Sequence, residues 1–344
     1  MGQHLSATIR SLSTCTGARK RGRVRLTDHD EESAPAAGTL MPSVPQANAP
    51  KPIYIAVLGL TGSGKTTFVN LVSESSLGVG RGLESCTSEV QASNRFNVGE
   101  REVVLIDTPG FGDTTLADSD IWKIIAASFV TSYRAGIHFT GVIYMQRISD
   151  VKVSGSSQQS FRMFQELCGE ETYPNVLLVT SMWDTVTPEV GTSRDQELAT
   201  KDIFFKPVLE KGAKMMRHDN TRESALGIIR NLVDKPRVTL RIQRELGGGV
   251  DIMQTSVYRQ IRELMLELVA QRQKKLDTLM EELAEAERDG DEETQEELQE
   301  EVQSAKAELQ DAQDKTSKLA NEYQVELQRI EEMLRRRRSG DADV

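Results

Sequence analysis

One eight-residue motif constrains this chain more than any other feature. Residues 59–66 read G-L-T-G-S-G-K-T, which fits the phosphate-binding pattern G-x-x-x-x-G-K-[ST]. The apolar, β-branched run 53–58 before it predicts a strand, and the stretch after it predicts a helix beginning near Lys65. A glycine-rich turn between a strand and a helix N-terminus points backbone N–H groups at phosphate oxygens. The sequence therefore predicts a P-loop.

The motif and the threonine after it supply the predicted nucleotide contacts. The positions expected to bind nucleotide are Gly59, Thr61, Gly62, Ser63, Gly64, Lys65, Thr66 and Thr67. Lys65 is also a candidate catalytic residue, because its ammonium group would neutralise charge on the β- and γ-phosphates. The hydroxyl of Thr66 is a predicted ligand of Mg²⁺.

A second motif follows about 40 residues later. The apolar run 103–106 ends in Asp107-Thr108-Pro109-Gly110, which predicts a strand that delivers a Mg²⁺-binding carboxylate. Gly110 is a candidate catalytic residue whose N–H would reach the γ-phosphate. Between the two motifs, Thr87 is predicted to complete the Mg²⁺ coordination and so to serve both catalysis and metal binding. Because Phe111 stands where a water-positioning glutamine would follow, we expect slow hydrolysis that dimerisation or a partner would raise.

Asp184 is expected to bind the base of the nucleotide. This residue follows a predicted strand over 176–180, and its carboxylate could accept hydrogen bonds from the N1–H and N2–H groups of guanine. Ser181 and Met182 replace the Asn and Lys that usually precede such an aspartate. His218, in a later loop, is either a base-stacking residue or a surface histidine. The expected function is binding of GTP or GDP with Mg²⁺; the alternatives are an ATP-using P-loop NTPase and a scaffold that holds nucleotide without significant turnover.

Alternating strand and helix signals predict an α/β fold, a P-loop NTPase or G domain with a mostly parallel central sheet flanked by helices. Residues 1–50 are predicted to be disordered, 51–250 to form the G domain, 251–338 a helical hairpin or coiled coil, and 339–344 a disordered tail. A heptad-like stripe from Leu298 to Tyr323 and a break near Gly290 support the helical region. Residues 194–216 are also predicted to be helical.

Charge and cysteine content narrow the possible partners. The net charge is −10, and residues 251–344 carry 14 basic against 25 acidic side chains, whereas residues 51–250 are almost neutral. This distribution argues against nucleic-acid binding. Three cysteines without a C-x-x-C pair suit a reducing compartment, so we expect a cytoplasmic location. The expected partners are a second copy, through the G domain or the helical tail, or an unidentified protein.

The N-terminus carries two further signals. Met1-Gly2-Gln3-His4-Leu5-Ser6 fits the N-myristoylation pattern, and the basic run 19–25 could add peripheral membrane contact. The same acid-free, Arg-rich start also suits mitochondrial import, and a plain disordered tail is the third reading.

With these motifs in view, the chain resembles fungal G-domain proteins related to the septin and AIG1/Toc group of GTPases. The resemblance rests on G-L-T-G-S-G-K-T-T-F-V-N-L-V, G-L-E-S-C-T-S-E-V-Q, L-I-D-T-P-G-F-G-D-T-T, G-V-I-Y-M-Q-R-I-S-D and F-F-K-P-V-L-E-K-G-A-K-M-M-R-H-D-N-T. It covers about residues 53–340. It implies a P-loop GTPase fold, GTP binding and slow hydrolysis, and it implies no particular cellular role.

Overall fold

The structure is a computed structural model that describes residues 51–78, 89–111, 115–150 and 155–340. These residues contain one seven-stranded sheet with helices on both faces. The strands are β1 (Ile53–Gly59), β2 (Gln91–Ala92), β3 (Phe96–Val98), β4 (Arg101–Asp107), β5 (Phe139–Arg147), β6 (Val176–Ser181) and β7 (Lys214–Arg217). The helices are α1 (Lys65–Ser73), α2 (Thr115–Arg134), α3 (Gly155–Cys168), α4 (Pro188–Thr200), α5 (Lys206–Leu209), α6 (Arg222–Arg230), α7 (Arg241–Gly247), α8 (Ser256–Asp289) and α9 (Glu292–Gly340).

The sheet order places the first strand in the middle. The strands run β2-β4-β1-β5-β6-β7, and β3 also pairs with β4. Strand β1 is parallel to β4 and β5, β6 continues the parallel set to β7, and only β2 and β3 are antiparallel to β4. The predicted α/β fold with a mostly parallel central sheet is therefore confirmed.

Alternating side chains of β1 supply both faces of the sheet. Ile55 and Val57 pack on one face against apolar residues of α1 and α6. Ala56 and Leu58 pack on the other face against α2, α3, α7 and α8. Because both faces are covered, the central strands are apolar along their whole length, which is typical of parallel sheets.

The region after β6 differs from its prediction. Residues 194–216 were expected to be helical, but α4 ends at Thr200, α5 is a single short helix, and Lys214–Arg217 is β7. Strand β7 is parallel to β6, with Met215 opposite Leu178. Sheet pairing thus overrides the weak helical signal of this segment.

The C-terminal region forms an antiparallel pair of long helices. Helix α8 ends at Asp289, and Gly290 closes it with a φ of 71°. Apolar residues of the two helices form their own core, made of Leu276, Leu279, Val302, Ala305 and Leu309. Helix α9 continues to Gly340, two residues past the predicted end of the helical region.

This helical pair also packs on the helices that cover the sheet. Leu319 of α9 is 1% exposed and belongs to the same apolar cluster as Trp122 of α2. Beside it, the ammonium of Lys123 lies 2.6 Å from Asp120 and 2.7 Å from Glu322 of α9. Farther along, Arg329 lies 3.6 Å from Glu89. The helices α8 and α9 are thus part of the folded body that contains the sheet.

Three regions with sequence signals fall outside the described residues. They are the N-terminal 50 residues, with the acylation pattern and the basic run, residues 79–88, which include Thr87, and residues 341–344 of the predicted tail. Among the helices that the structure does describe, none has both the length and the apolar character needed to cross a membrane.

Candidate functional site

The site lies at the carboxyl edge of the parallel strands, where four of them end close together. Strand β1 ends at Gly59, β4 at Asp107, β5 at Arg147 and β6 at Ser181. The register places Gly59 opposite Met145 and Arg147 opposite Ser181. This edge, at the central strand of an open α/β sheet, is where such folds bind ligands.

The P-loop leaves β1 at a position that only glycine tolerates. Gly59 has a φ of 146°, and a Cβ there would lie 2.2 Å from the carbonyl oxygen of Met145. The loop then crosses to Lys65, where α1 begins. Gly59, Gly62 and Gly64 all have positive φ. The fold therefore gives the motif the strand, turn and helix context that its phosphate-binding chemistry requires.

The lysine of the motif is held inside the loop. Lys65 is 6% exposed, and its Nζ donates a hydrogen bond to the carbonyl oxygen of Leu60 at 2.9 Å. Such a bond fixes the ammonium within the curve of the loop, close to where phosphate oxygens would lie. Its position fits the predicted role in neutralising phosphate charge.

Thr66 and Asp107 meet across the two motifs. The Thr66 hydroxyl donates to Oδ2 of Asp107 at 2.7 Å. Burial raises the pKa of Asp107 above its ordinary value, against the opposing effects of the Thr66 hydrogen bond, the Lys65 charge and the Thr108 amide. Oδ1 of the same carboxylate is buried and has no hydrogen-bond partner among the described residues.

These two side chains fit a magnesium ion. A hydroxyl and a carboxylate are hard oxygen ligands, and Mg²⁺ at such sites takes one or two protein ligands together with phosphate oxygens and water. The unpartnered Oδ1 of Asp107 would gain a cation, which offsets the cost of burying the charge. Within the described ranges no group of three or more His, Cys, Asp or Glu side chains could hold a metal by itself. The donor set therefore suits a nucleotide-bound Mg²⁺ rather than an all-protein metal site.

Gly110 contacts the P-loop directly. A Cβ on Gly110 would lie 2.6 Å from Cα and 2.7 Å from Oγ1 of Thr61. The Thr61 N–H donates to the carbonyl oxygen of Phe111 at 2.8 Å. Phe111 is fully buried and stacks on Trp122, with ring centroids 4.4 Å apart. The two motifs are thus hydrogen-bonded together, and Gly110 lies directly against the P-loop, while its predicted contact with the γ-phosphate stays a prediction.

The end of β6 also touches the P-loop. The Ser181 hydroxyl donates to the carbonyl oxygen of Ser63 at 2.8 Å. Met182 has a φ of 60°, and its Cε lies 3.6 Å from the Cβ position of Gly64. Asp184 is exposed, in the 3-10 helix Trp183–Thr185 that follows. The segment expected to read the base therefore lies beside the phosphate loop.

The other predicted site residues have different outcomes. Thr67, in the first turn of α1, is exposed, and the Ser63 hydroxyl is buried without a hydrogen-bond partner among the residues described. Thr87 lies outside the described residues, so its predicted place in the Mg²⁺ coordination stays a prediction.

Two features of the site were not recognised in the sequence. Arg147, the last residue of β5, places Nη1 3.0 Å from the Cβ position of Gly62, so a second cation lies against the P-loop. His218 is buried, with its ring edge on Phe68 of α1, rather than on the surface. Burial lowers the pKa of His218, partly offset by the charge of Asp219. For Arg147, the available signal was its place at the end of a strand in the parallel set.

Comparison with known proteins agrees with this geometry. Residues 54–179 match the family model described as 50S ribosome-binding GTPase. Together with the strand order and the P-loop, this match identifies the region as a P-loop G domain. The narrower relation to the septin and AIG1/Toc group stays a prediction.

Individual relatives are distant. GTP-binding protein A of Dictyostelium discoideum is 28% identical over 137 residues, which span 39% of this chain but only 29% of that protein. Among solved structures, Toc33 of Arabidopsis thaliana in complex with GDP and Mg²⁺ is similar at a TM-score of 0.43 and 15% identity, covering 55% of this chain and 87% of that one. Era in complex with MgGDPNP and part of 16S ribosomal RNA has a TM-score of 0.40 and 14% identity, covering 55% and 59%.

Proposed function

We propose that this chain binds guanine nucleotide with Mg²⁺ and hydrolyses GTP slowly to GDP and phosphate. The observation that carries the proposal is the contact between Thr66 and Asp107, at 2.7 Å, directly beside the buried Lys65. A hydroxyl from the P-loop, a carboxylate from β4 and an ammonium within the loop are the three groups that a Mg²⁺-nucleotide complex needs from its protein.

Each side chain has a distinct part in this proposal. Lys65 balances the charge of the β- and γ-phosphates, Thr66 and Asp107 hold the metal together with Thr87, and Gly110 offers its N–H to the γ-phosphate. Bound Mg²⁺ would supply charge neutralisation between the β- and γ-phosphate oxygens. The remaining nucleotide contacts come from backbone N–H groups of the loop.

Preference for guanine rests on Asp184. Its carboxylate is exposed at the carboxyl end of β6, next to the contact between Met182 and the P-loop. A carboxylate pairs with the N1–H and N2–H donors of guanine, whereas the corresponding edge of adenine presents an acceptor. This chemistry favours GTP over the ATP-using alternative.

Slow turnover follows from Phe111. A buried ring stacked on Trp122 cannot orient an attacking water, which is the task of the polar residue at this place in faster enzymes. We propose that a second copy or another protein supplies the missing group. The same observation supports the second candidate function, a scaffold that binds nucleotide without significant turnover.

Nucleotide binding is tested by titrating the purified chain with fluorescent GDP and GTP, with and without Mg²⁺. We expect Lys65→Ala to abolish binding and Asp107→Asn to remove its dependence on Mg²⁺. Lys51→Ala, which changes an exposed lysine just before β1, is the matched control and should bind normally. Unchanged affinity in Lys65→Ala would refute the assignment.

Base preference is tested by competition between GTP, ATP and XTP. Asp184→Asn should shift preference from GTP towards XTP, because the asparagine amide can donate to the carbonyl oxygen that xanthine carries in place of the guanine amino group. Asp277→Asn, an exposed aspartate of α8, is the control. A wild-type chain that prefers ATP would favour the alternative NTPase.

Turnover is tested by measuring phosphate release per molecule over a range of protein concentrations. A rate that rises with concentration supports stimulation by a second copy. A low, constant rate that an added cell extract raises supports another partner. Bound GTP that never turns over under either condition favours the scaffold.

Peripheral membrane contact through the N-terminus is a separate proposal, which rests on the sequence pattern alone. Mass spectrometry of the native N-terminus distinguishes an acylated Gly2, a cleaved start that indicates mitochondrial import, and an unmodified tail.

A further inference from the structure

The hydroxyl of Thr61 has an unusual position. Its Oγ1 is buried and has no hydrogen-bond partner among the described residues. It lies at the contact between the P-loop and Gly110, 2.7 Å from where a Gly110 Cβ would be. A buried hydroxyl without a partner is costly, so such a group in a ligand site indicates a missing hydrogen-bonding atom.

The N–H of the same residue is already engaged. It donates to the carbonyl oxygen of Phe111 at 2.8 Å, and Leu60 and Phe111 form a short parallel bridge. This hydrogen bond holds Phe111, the residue after Gly110, against the P-loop. Phe111 in turn is stacked on Trp122, so its backbone position is coupled to a buried aromatic ring of α2.

We propose that Thr61 is the residue by which the site distinguishes a nucleoside triphosphate from a diphosphate, an inference that rests on the nucleotide binding proposed above. The residue lies between the loop that would cradle the phosphates and the Gly110 segment that would face the γ-phosphate. A γ-phosphate oxygen there accepts from both the hydroxyl and the N–H of Thr61. The negative charge of the phosphate also disfavours the nearby carbonyl oxygen of Phe111, so the bond from Thr61 to Phe111 breaks.

A diphosphate leaves this arrangement unchanged. Without a γ-phosphate, the Thr61 N–H keeps Phe111 as its partner, and Phe111 keeps its stack on Trp122. The aromatic pair therefore differs between the two nucleotide states, and Trp122 becomes an internal reporter. The chain has only two tryptophans, so Trp183→Phe leaves Trp122 as the single emitter.

The experiment compares Thr61→Val and Thr61→Ser in the full chain carrying Trp183→Phe. Valine keeps the shape and removes the hydroxyl, whereas serine keeps the hydroxyl. The affinities for GDP and for the imido analogue of GTP are measured with Mg²⁺, together with Trp122 emission. We expect Thr61→Val to bind the analogue roughly 10- to 100-fold more weakly, as for a lost hydrogen bond to a charged group, and to keep its affinity for GDP. Thr61→Ser, which keeps the hydroxyl, should bind the analogue about as tightly as the parent chain does.

Emission provides the second readout. In the Trp183→Phe background the analogue should change Trp122 emission and GDP should not, and Thr61→Val should lose the response at matched occupancy. An unchanged ratio of analogue to GDP affinity in Thr61→Val, or an equal response to both nucleotides, would overturn the proposal. Failure of the wild-type chain to bind either nucleotide would instead overturn the proposed function, and this inference with it. Circular dichroism checks that each variant is folded.

Discussion

The ion pair between α2 and α9 leads to an asymmetric prediction. Lys123 is buried, with its side chain 8% exposed, whereas its partners Asp120 and Glu322 are 54% and 41% exposed. Replacing the buried cation and replacing one of the solvated anions should therefore have different consequences. We predict that Glu322→Gln destabilises the chain more than Lys123→Met does.

The magnitudes follow from burial. Leaving one charge of a buried pair without its partner costs about 3–5 kcal/mol. Here Asp120 stays in place and solvent screens the exposed carboxylates, which reduces the expected cost of Glu322→Gln to about 1–2 kcal/mol. Lys123→Met removes the desolvated charge and keeps the apolar stem, so its cost should be within about 0.5 kcal/mol of zero. The double variant should resemble Lys123→Met.

The pH dependence adds a check. Burial alone would lower the pKa of Lys123, but its hydrogen bonds to Asp120 and Glu322 and their charges raise it above its ordinary value. A raised lysine pKa stabilises the folded chain below the unfolded-state value of about 10.4, and this contribution is lost as the pH rises through the folded-state value. The difference between Glu322→Gln and the wild type should accordingly be constant between about pH 6 and 9, because this range lies above the ordinary pKa of a carboxyl group and below that of a lysine.

The assay is urea unfolding followed by circular dichroism, for the wild type, both single variants and the double variant. Lys315→Met is the matched control and should cost little, because the side chain of this α9 lysine, paired with Asp311, is 40% exposed. A larger loss in Lys123→Met than in Glu322→Gln would refute the reasoning. So would additive losses in the double variant, because they would mean that the two charges do not interact.

Three further predictions concern the site. Gly59→Ala should cost more than about 2 kcal/mol of stability, because its Cβ would lie 2.2 Å from a backbone oxygen of β5. The control Gly227→Ala, where a Cβ has no neighbour within 4 Å, should not destabilise the chain, and equal stabilities of the two variants in urea would contradict the prediction. Arg147→Gln should weaken binding of the imido analogue of GTP by about tenfold, through loss of a charged contact. The control Arg95→Gln changes an exposed arginine and should not weaken it, so equal affinities of the two variants for the analogue would contradict the prediction. Since burial lowers the pKa of His218, the unfolded chain binds more protons than the folded chain, and stability should fall as the pH drops below about 6.5. If the stability of His218→Asn falls as much over the same pH range, His218 is not the cause.

The parts of the fold with strict local requirements could be predicted from the sequence. The P-loop needs its glycines, lysine and threonine at fixed spacing, and the second motif needs an aspartate at the end of a buried strand. The break at Gly290 likewise follows from a short-range pattern. In each case neighbouring residues determine the conformation.

Strand β7 could not be predicted in this way. Its residues Lys214-Met215-Met216-Arg217 include no β-branched or aromatic side chain, and the methionines suit a helix. The segment is a strand because the outer side of β6 offers unpaired backbone groups. That information lies in β6, more than 30 residues away, and not in the segment itself.

The contacts around the P-loop share this limitation. Arg147 and Met182 end or follow strands of the parallel set, so their presence at the site's edge was foreseeable. Which of these side chains lies against the P-loop depends on the packing between β5, β6 and the loop itself. The burial of His218 against Phe68 likewise depends on how α1 lies on the sheet.

The contact between α2 and α9 has a consequence for folding during synthesis of the chain. Lys123 and Glu322 are 199 residues apart, and Leu319 fills the cluster that contains Trp122. At about 5–20 residues per second, a ribosome adds Glu322 roughly 10–40 s after Lys123. During that interval the sheet can form, but the side of α2 that packs on α9 has no cover. A nascent G domain of this kind therefore exposes that side of α2 to chaperones until α9 emerges.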